Sequence, residues 1–273
     1  ITKSKIINNI KNINSFWMKH FKKKPRIEIT VINQQYETID KINEDEKTTS
    51  AKESKQKTKQ PKEEKFPKLT FETYEEFLLN WGKKNPENRI EIETEFGNIQ
   101  IKLYKQTPIH RANFLMLVKR GFFNTTVFYR VIDNFVIQGG NSDTWETQEL
   151  KAEIGNYKMK PEFVAELFHK RGAVAMARNY TDNPDKLSSP YTFYIVQRGK
   201  IKPEGITYLR QMEDQVIPED QAQHYMEFGG SPSLDGEHTV IGEVISGMDV
   251  VDAIAKVETD DSDWPKSDVW MKM

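Results

Sequence analysis

The stretch Phe128-Tyr129-Arg130-Val131-Ile132-Asp133-Asn134-Phe135-Val136-Ile137-Gln138-Gly139-Gly140 decides how this chain is read. Thr126 to Val131 and Phe135 to Gln138 are short apolar runs of the kind that form strands. Period 2 places Phe128 and Arg130 on one face of the first strand, and Val136 and Gln138 on one face of the second. An arginine among aromatic side chains on a sheet wall is unusual. It either lays its stem over apolar neighbours, or pairs with an acid such as Asp133, or carries chemistry.

Working outward, further strand-like runs lie at Ile90 to Thr94, Ile99 to Leu103, Ala173 to Ala177, Phe193 to Val196, Val240 to Ile245 and Asp268 to Met273. The first two flank Phe96-Gly97-Asn98, a hairpin signal with glycine available for positive φ. Thr107 is a good N-cap with Pro108 at the first helical position, so a helix is expected to run to Gly121. Thr73 and Glu76 have capping-box spacing for a helix ending at Gly82, and another helix is expected from Met248 to Lys256. Eight short strands, two or three helices and no regular alternation of the two predict a mainly β fold, a closed antiparallel eight-stranded barrel capped by the helices.

Only 37% of the 273 residues are hydrophobic and 30% are charged, so one domain plus a polar extension is expected rather than two domains. Residues 1–68 are read as a lysine-rich, largely disordered extension, 69–87 as a lead-in helix, and 88–273 as the domain. Within the extension, Ile6, Ile10, Ile13 and Trp17 recur at helical spacing beside Lys22 to Lys24. That pattern reads as a surface- or partner-binding helix through residues 1–24, or, given Asn8, Asn9, Asn12 and Asn14, as a frayed tail. The formal net charge of -1 gives no reason to expect nucleic acid as a partner. Cysteine is absent, which excludes disulfides, thiolate nucleophiles and sulfur metal ligands. The chain starts at Ile1, read as a processed or truncated start that leaves cell envelope and cytoplasm both open.

The quoted stretch resembles the signature of the cyclophilins, F-H-R-x-x-x-x-F-x-x-Q-G-G, in the form found in their bacterial-like branch. Thr107-Pro108, Asn113-Phe114, Met176-Ala177, Phe193-Tyr194-Ile195, Leu234-Asp235-Gly236 and His238 match further along, in order. The resemblance implies a cyclophilin-like barrel over residues 88–273 and peptidyl-prolyl cis-trans isomerase activity on proline-containing peptides and unfolded client proteins. It implies Arg130 as the catalytic group, with Phe135, Val136, Gln138, Ala177, Arg178, Thr192, Tyr194, Leu234 and His238 binding substrate. It also implies that Gln138 holds Arg130. No cofactor and no metal are expected, and a monomer is.

The chemistry suits those residues. A prolyl bond rotates over a barrier of about 18–20 kcal/mol, and no bond needs breaking. Midway through the twist the imide nitrogen regains a lone pair, and a guanidinium aimed there binds the twisted state better than either planar isomer. An acceleration on the order of 10⁵ needs about 7 kcal/mol of such preference.

Several positions depart from the family pattern. Thr192 stands for a glutamine that binds substrate backbone, Tyr129 for a histidine, Arg178 for an asparagine, and Val136 for a methionine. Ser233 takes the place of the tryptophan that contacts cyclosporin, which predicts weak cyclosporin binding. A second function therefore stays open: a catalytically weak proline-peptide-binding module on the same fold. Glu166 and His169 have a metal-motif spacing without companions, Gly139-Gly140 and Gly229-Gly230 lack the pattern of a phosphate loop, and no Gly-x-Ser-x-Gly elbow is present.

Overall fold

A computed structural model describes residues 66–273, so the amphipathic segment and most of the extension expected upstream lie outside the described residues. Seven strands form one antiparallel sheet: β2 (Arg89–Thr94), β3 (Gly97–Leu103), β4 (Val127–Ile132), β5 (Val136–Asn141), β7 (Ala173–Met176), β8 (Phe193–Val196) and β9 (Val240–Ser246). Across the sheet they run β2-β3-β9-β7-β8-β5-β4. A separate two-residue strand β1 (Leu69–Thr70) pairs in parallel with β6 (Gly155–Asn156).

The sheet curls, because one stretch of tail reaches both of its edges. Lys272 exchanges backbone hydrogen bonds of 2.8 and 3.0 Å with Glu93 on β2, while Trp270 bridges Val127 on β4. The expected closed eight-stranded barrel is corrected here. The tail makes a single bridge to each edge, too few consecutive pairs for a strand ladder, so Asp268 to Met273 is not an eighth strand.

Six α-helices accompany the sheet among the described residues, not two or three: α1 (Tyr74–Lys84), α2 (Pro108–Lys119), α3 (Trp145–Ile154), α4 (Pro203–Met212), α5 (Glu219–Phe228) and α6 (Met248–Ile254). Both expected caps are replaced. The Thr73 hydroxyl accepts from the Thr70 N–H at 3.0 Å and makes no bond into α1. Gly82 does not end that helix either; it lets α2 approach, since a Cβ there would lie 2.9 Å from Ala112 Cβ. At α2 the cap is Glu162, whose carboxylate takes the N–H groups of Ile109 and His110 at 3.1 and 2.9 Å. A negative charge at a helix N-terminus, 53 residues away in sequence from the helix it caps, satisfies donors that Thr107 leaves unmet.

The two faces of the sheet bury different sets of side chains. Phe114, Phe123, Phe128, Ile137, Phe193, Ile195 and Met176 belong to the main core, with Leu78 of α1 and Val251 of α6. On the other face Val136, Ala175, Ala177, Tyr194, Val196, Leu234 and Val240 make a second cluster, with Phe135 and Tyr104 packed on it. Helices α4 and α5 bury Ile206, Ala222 and Tyr225 in a third, small core with Ile201 and Ile217. Neither helix of that pair was among those expected from the sequence.

Candidate active site

Register brings the candidate residues into a row. Arg130 pairs with Gln138, Gln138 with Tyr194, Tyr194 with Ala175, and Ala175 with Val240, across β4, β5, β8, β7 and β9. Paired residues share a face, so this row runs along the second cluster. Two strand spacings separate Arg130 from Tyr194, about 10 Å between backbones.

A bulge corrects the expectation that Phe128 and Arg130 share a face. Phe128 pairs with Gly139 and Arg130 with Gln138, so two steps on β4 match one on β5. The extra residue, Tyr129, puts Phe128 in the main core and Arg130 on the face of the second cluster. The two glycines fit this arrangement. A Cβ at Gly139 would stand 3.3 Å from the rings of both Phe128 and Phe193, and Gly140, at φ +92°, lets β5 pass against the Tyr191 carbonyl.

Arg130 is half-exposed and pairs with an acid, but not Asp133. Its Nε donates to Asp263 Oδ2 at 3.2 Å, and both side chains are 42% exposed. Asp133 is taken by Lys256 at 2.7 Å. The bond to Asp263 uses one edge of the guanidinium, and among the described residues its terminal nitrogens make no further hydrogen bond. The expected hold of Gln138 on Arg130 is absent. Gln138 Nε2 donates to the Tyr129 hydroxyl, which is also hydrogen-bonded to Thr192. Burial raises the Tyr129 pKa, so this phenol keeps its proton while serving both neighbours. The ring itself packs against Trp264, centroids 5.7 Å apart.

The cluster along this row is apolar. Val136, Tyr194 and Leu234 are buried, Phe135 is half-buried, and Ala177 lies beside them. Above it, Arg178 donates from Nε to the Glu237 carbonyl at 2.8 Å and from Nη2 to the Glu237 carboxylate. Its guanidinium also lies 4.0 Å from the centre of the Tyr180 ring. Burial opposes ionisation of Glu237, but hydrogen bonds from Lys186 and Arg178 hold its pKa below the usual carboxylate range. His238 Nδ1 lies 3.2 Å from the Met176 carbonyl, which only accepts, so that nitrogen carries the proton. Nε2 then accepts from the Tyr180 hydroxyl at 2.7 Å. Burial, assisted by nearby His169, lowers the His238 pKa to about 4, and the ring is neutral near pH 7.

All ten sequence-derived residues therefore lie on or beside one row, with Gln138 and Thr192 tied to Tyr129. Sequence reading missed Asp263, Tyr180 and Glu237, and weighed His169 only for a metal spacing with Glu166. Asp263 is 133 residues from its partner, and no local pattern announces it.

The family model described as cyclophilin-type peptidyl-prolyl cis-trans isomerase matches residues 89–273. A Staphylococcus saprophyticus protein named for that isomerase activity is 33% identical over 192 residues, which is 70% of this chain and 92% of that one. A peptidyl-prolyl cis-trans isomerase of Acinetobacter baylyi is 34% identical over 62% of this chain and 73% of its own length. A Streptococcus pyogenes protein whose name joins a phosphatase to the isomerase is 35% identical, and this chain spans 40% of it. Among solved structures, a cyclophilin-type isomerase of Cryptosporidium parvum covers 68% of this chain and 94% of its own, with 22% identity and a TM-score of 0.48.

Proposed function

The chain belongs to the cyclophilin-type peptidyl-prolyl cis-trans isomerase family, and on that premise we propose that residues 89–273 turn over Xaa-Pro bonds with Arg130 as the catalytic group. The observation that carries this reading is the row itself: a guanidinium whose terminal nitrogens make no hydrogen bond among the described residues, one strand from Val136 and two from Tyr194 in an apolar cluster with Leu234. The wall grips a pyrrolidine ring, and the guanidinium meets the imide nitrogen when it pyramidalises. Asp263 orients the guanidinium from its Nε edge. Because both partners are well exposed, solvent screens the pair, and the arginine keeps most of its field. Substrates are proline-containing segments of unfolded chains, bound without cofactor.

The test is cis/trans exchange on an Ala-Pro peptide. Arg130→Ala should lower kcat by about 10² to 10³-fold, as removal of one preorganised donor does in other enzymes. Exchange at the wild-type rate in that variant would end the proposal.

One observation favours the weaker binding module. Thr192, already lacking the glutamine's reach, is committed to the Tyr129 hydroxyl. If the wild-type protein binds the peptide without accelerating exchange, the module reading replaces the enzyme.

A further inference from the structure

Beside the apolar cluster lies a largely buried chain of polar side chains that the isomerase reading does not use. Tyr225, on α5 in the long 199–230 connection, sends its hydroxyl to Asp235 Oδ2 at 2.6 Å. Asp235 Oδ1 takes His169 Nδ1 at 2.8 Å and the His169 backbone N–H, also at 2.8 Å. His169 Nε2 lies 2.9 Å from the Tyr194 hydroxyl. The His169 and Tyr194 rings are nearly parallel, 18° apart, with centroids 6.0 Å from each other. His169 is 1% exposed and Tyr225 0%, while Asp235 between them is partly open at 24%.

Burial holds the pKa of both tyrosines above the ordinary phenol value, so both keep their protons, and Tyr225 donates to Asp235. Tyr225 donates to the carboxylate, His169 Nδ1 is hydrogen-bonded to it as well, and Nε2 shares a hydrogen bond with the Tyr194 hydroxyl. Every polar group in the chain is satisfied, which makes such a network rigid rather than costly.

We propose that Tyr225, Asp235 and His169 are positioning residues that fix the Tyr194 ring in the proline slot, and that the inserted helical pair α4–α5 serves to anchor this chain from behind. Three observations converge on this. Tyr194 sits in the row beside Gln138, its hydroxyl is hydrogen-bonded to His169, and the far end of the chain rests on α5. The same segment carries the rim, since Asp235 lies between Leu234 and Glu237, the partner of Arg178. Holding Tyr194 in one orientation reduces the ordering that peptide binding would otherwise require. This inference rests on the assignment of Tyr194 to the substrate slot.

The experiment is a double-mutant cycle on the full chain. Tyr225→Phe and Tyr194→Phe remove one hydroxyl each and keep the ring, so both should fold. His169→Gln retains a donor and an acceptor. Tyr208→Phe, at an exposed hydroxyl on α4, is the control. Affinity for an Ala-Pro peptide is read by NMR titration, and kcat and KM by exchange spectroscopy. Tyr225→Phe should weaken peptide affinity and raise KM by about 2 to 10-fold with kcat little changed, the range expected from one hydrogen bond. His169→Gln should fall between wild type and His169→Ala, and Tyr208→Phe should match wild type. In a Tyr194→Phe background the Tyr225→Phe effect should vanish, since the link is already cut. Unchanged affinity in Tyr225→Phe, or full additivity of the two changes, overturns the proposal. Titration reads the chain even where exchange is not accelerated, so loss of the isomerase reading and loss of this one are told apart.

Discussion

Acid should destabilise this fold through His238, and the size of the effect follows from its burial. The ring is 7% exposed, donates to Met176 O and accepts from Tyr180, and its pKa in the folded chain is about 4, against 6.5 for an ordinary histidine. The unfolded chain binds a proton as the pH falls through 6.5, whereas the folded chain resists until about 4. The contribution to stability is therefore complete above 6.5 and is lost as the pH falls from there towards 4. Between about pH 7 and about pH 5 the loss is on the order of 2 kcal/mol. His238→Gln keeps a donor for Met176 O and an acceptor for Tyr180 but cannot titrate. Urea unfolding of both proteins at both pH values cancels the carboxylates and other histidines they share. Wild type should lose about 2 kcal/mol more than the variant on acidification. Equal losses would show that the ring is protonated as easily folded as unfolded, and the burial argument would be wrong.

Glu162→Ala should cost about 1–2 kcal/mol in thermal or urea unfolding, because the α2 donors lose their cap; a change below a few tenths would mean water replaces the carboxylate. Gly139→Ala should cost about 1–3 kcal/mol from crowding against Phe128 and Phe193, read in the same assay, and a neutral result would show that the rings yield. Tyr129→Phe should lower kcat/KM by about 3 to 10-fold, since Gln138 and Thr192 lose their shared acceptor; an increase would mean the phenol restrains them. Cyclosporin should bind weakly to wild type and more tightly to Ser233→Trp in a calorimetric titration, and nanomolar affinity of wild type would refute the role given to Ser233.

Local pattern alone determined much of this protein. Alternating or continuous apolar runs located all seven strands of the main sheet, and Pro108 and Gly121 bracketed α2, because side-chain pattern and backbone restriction act over a few residues. The quoted stretch also carried the resemblance from which Arg130 and the apolar wall were named. What tertiary structure decided are relations between distant residues. The bulge at Tyr129, invisible to a period-2 reading, put Phe128 and Arg130 on opposite faces. Capping of α2 by Glu162, pairing of Arg130 with Asp263, and the run from Tyr225 to Tyr194 join positions 53, 133 and 31 residues apart. Such contacts are chosen by which charges and hydroxyls the folded chain removes from water together, and a buried polar group takes whatever partner the packing brings within reach.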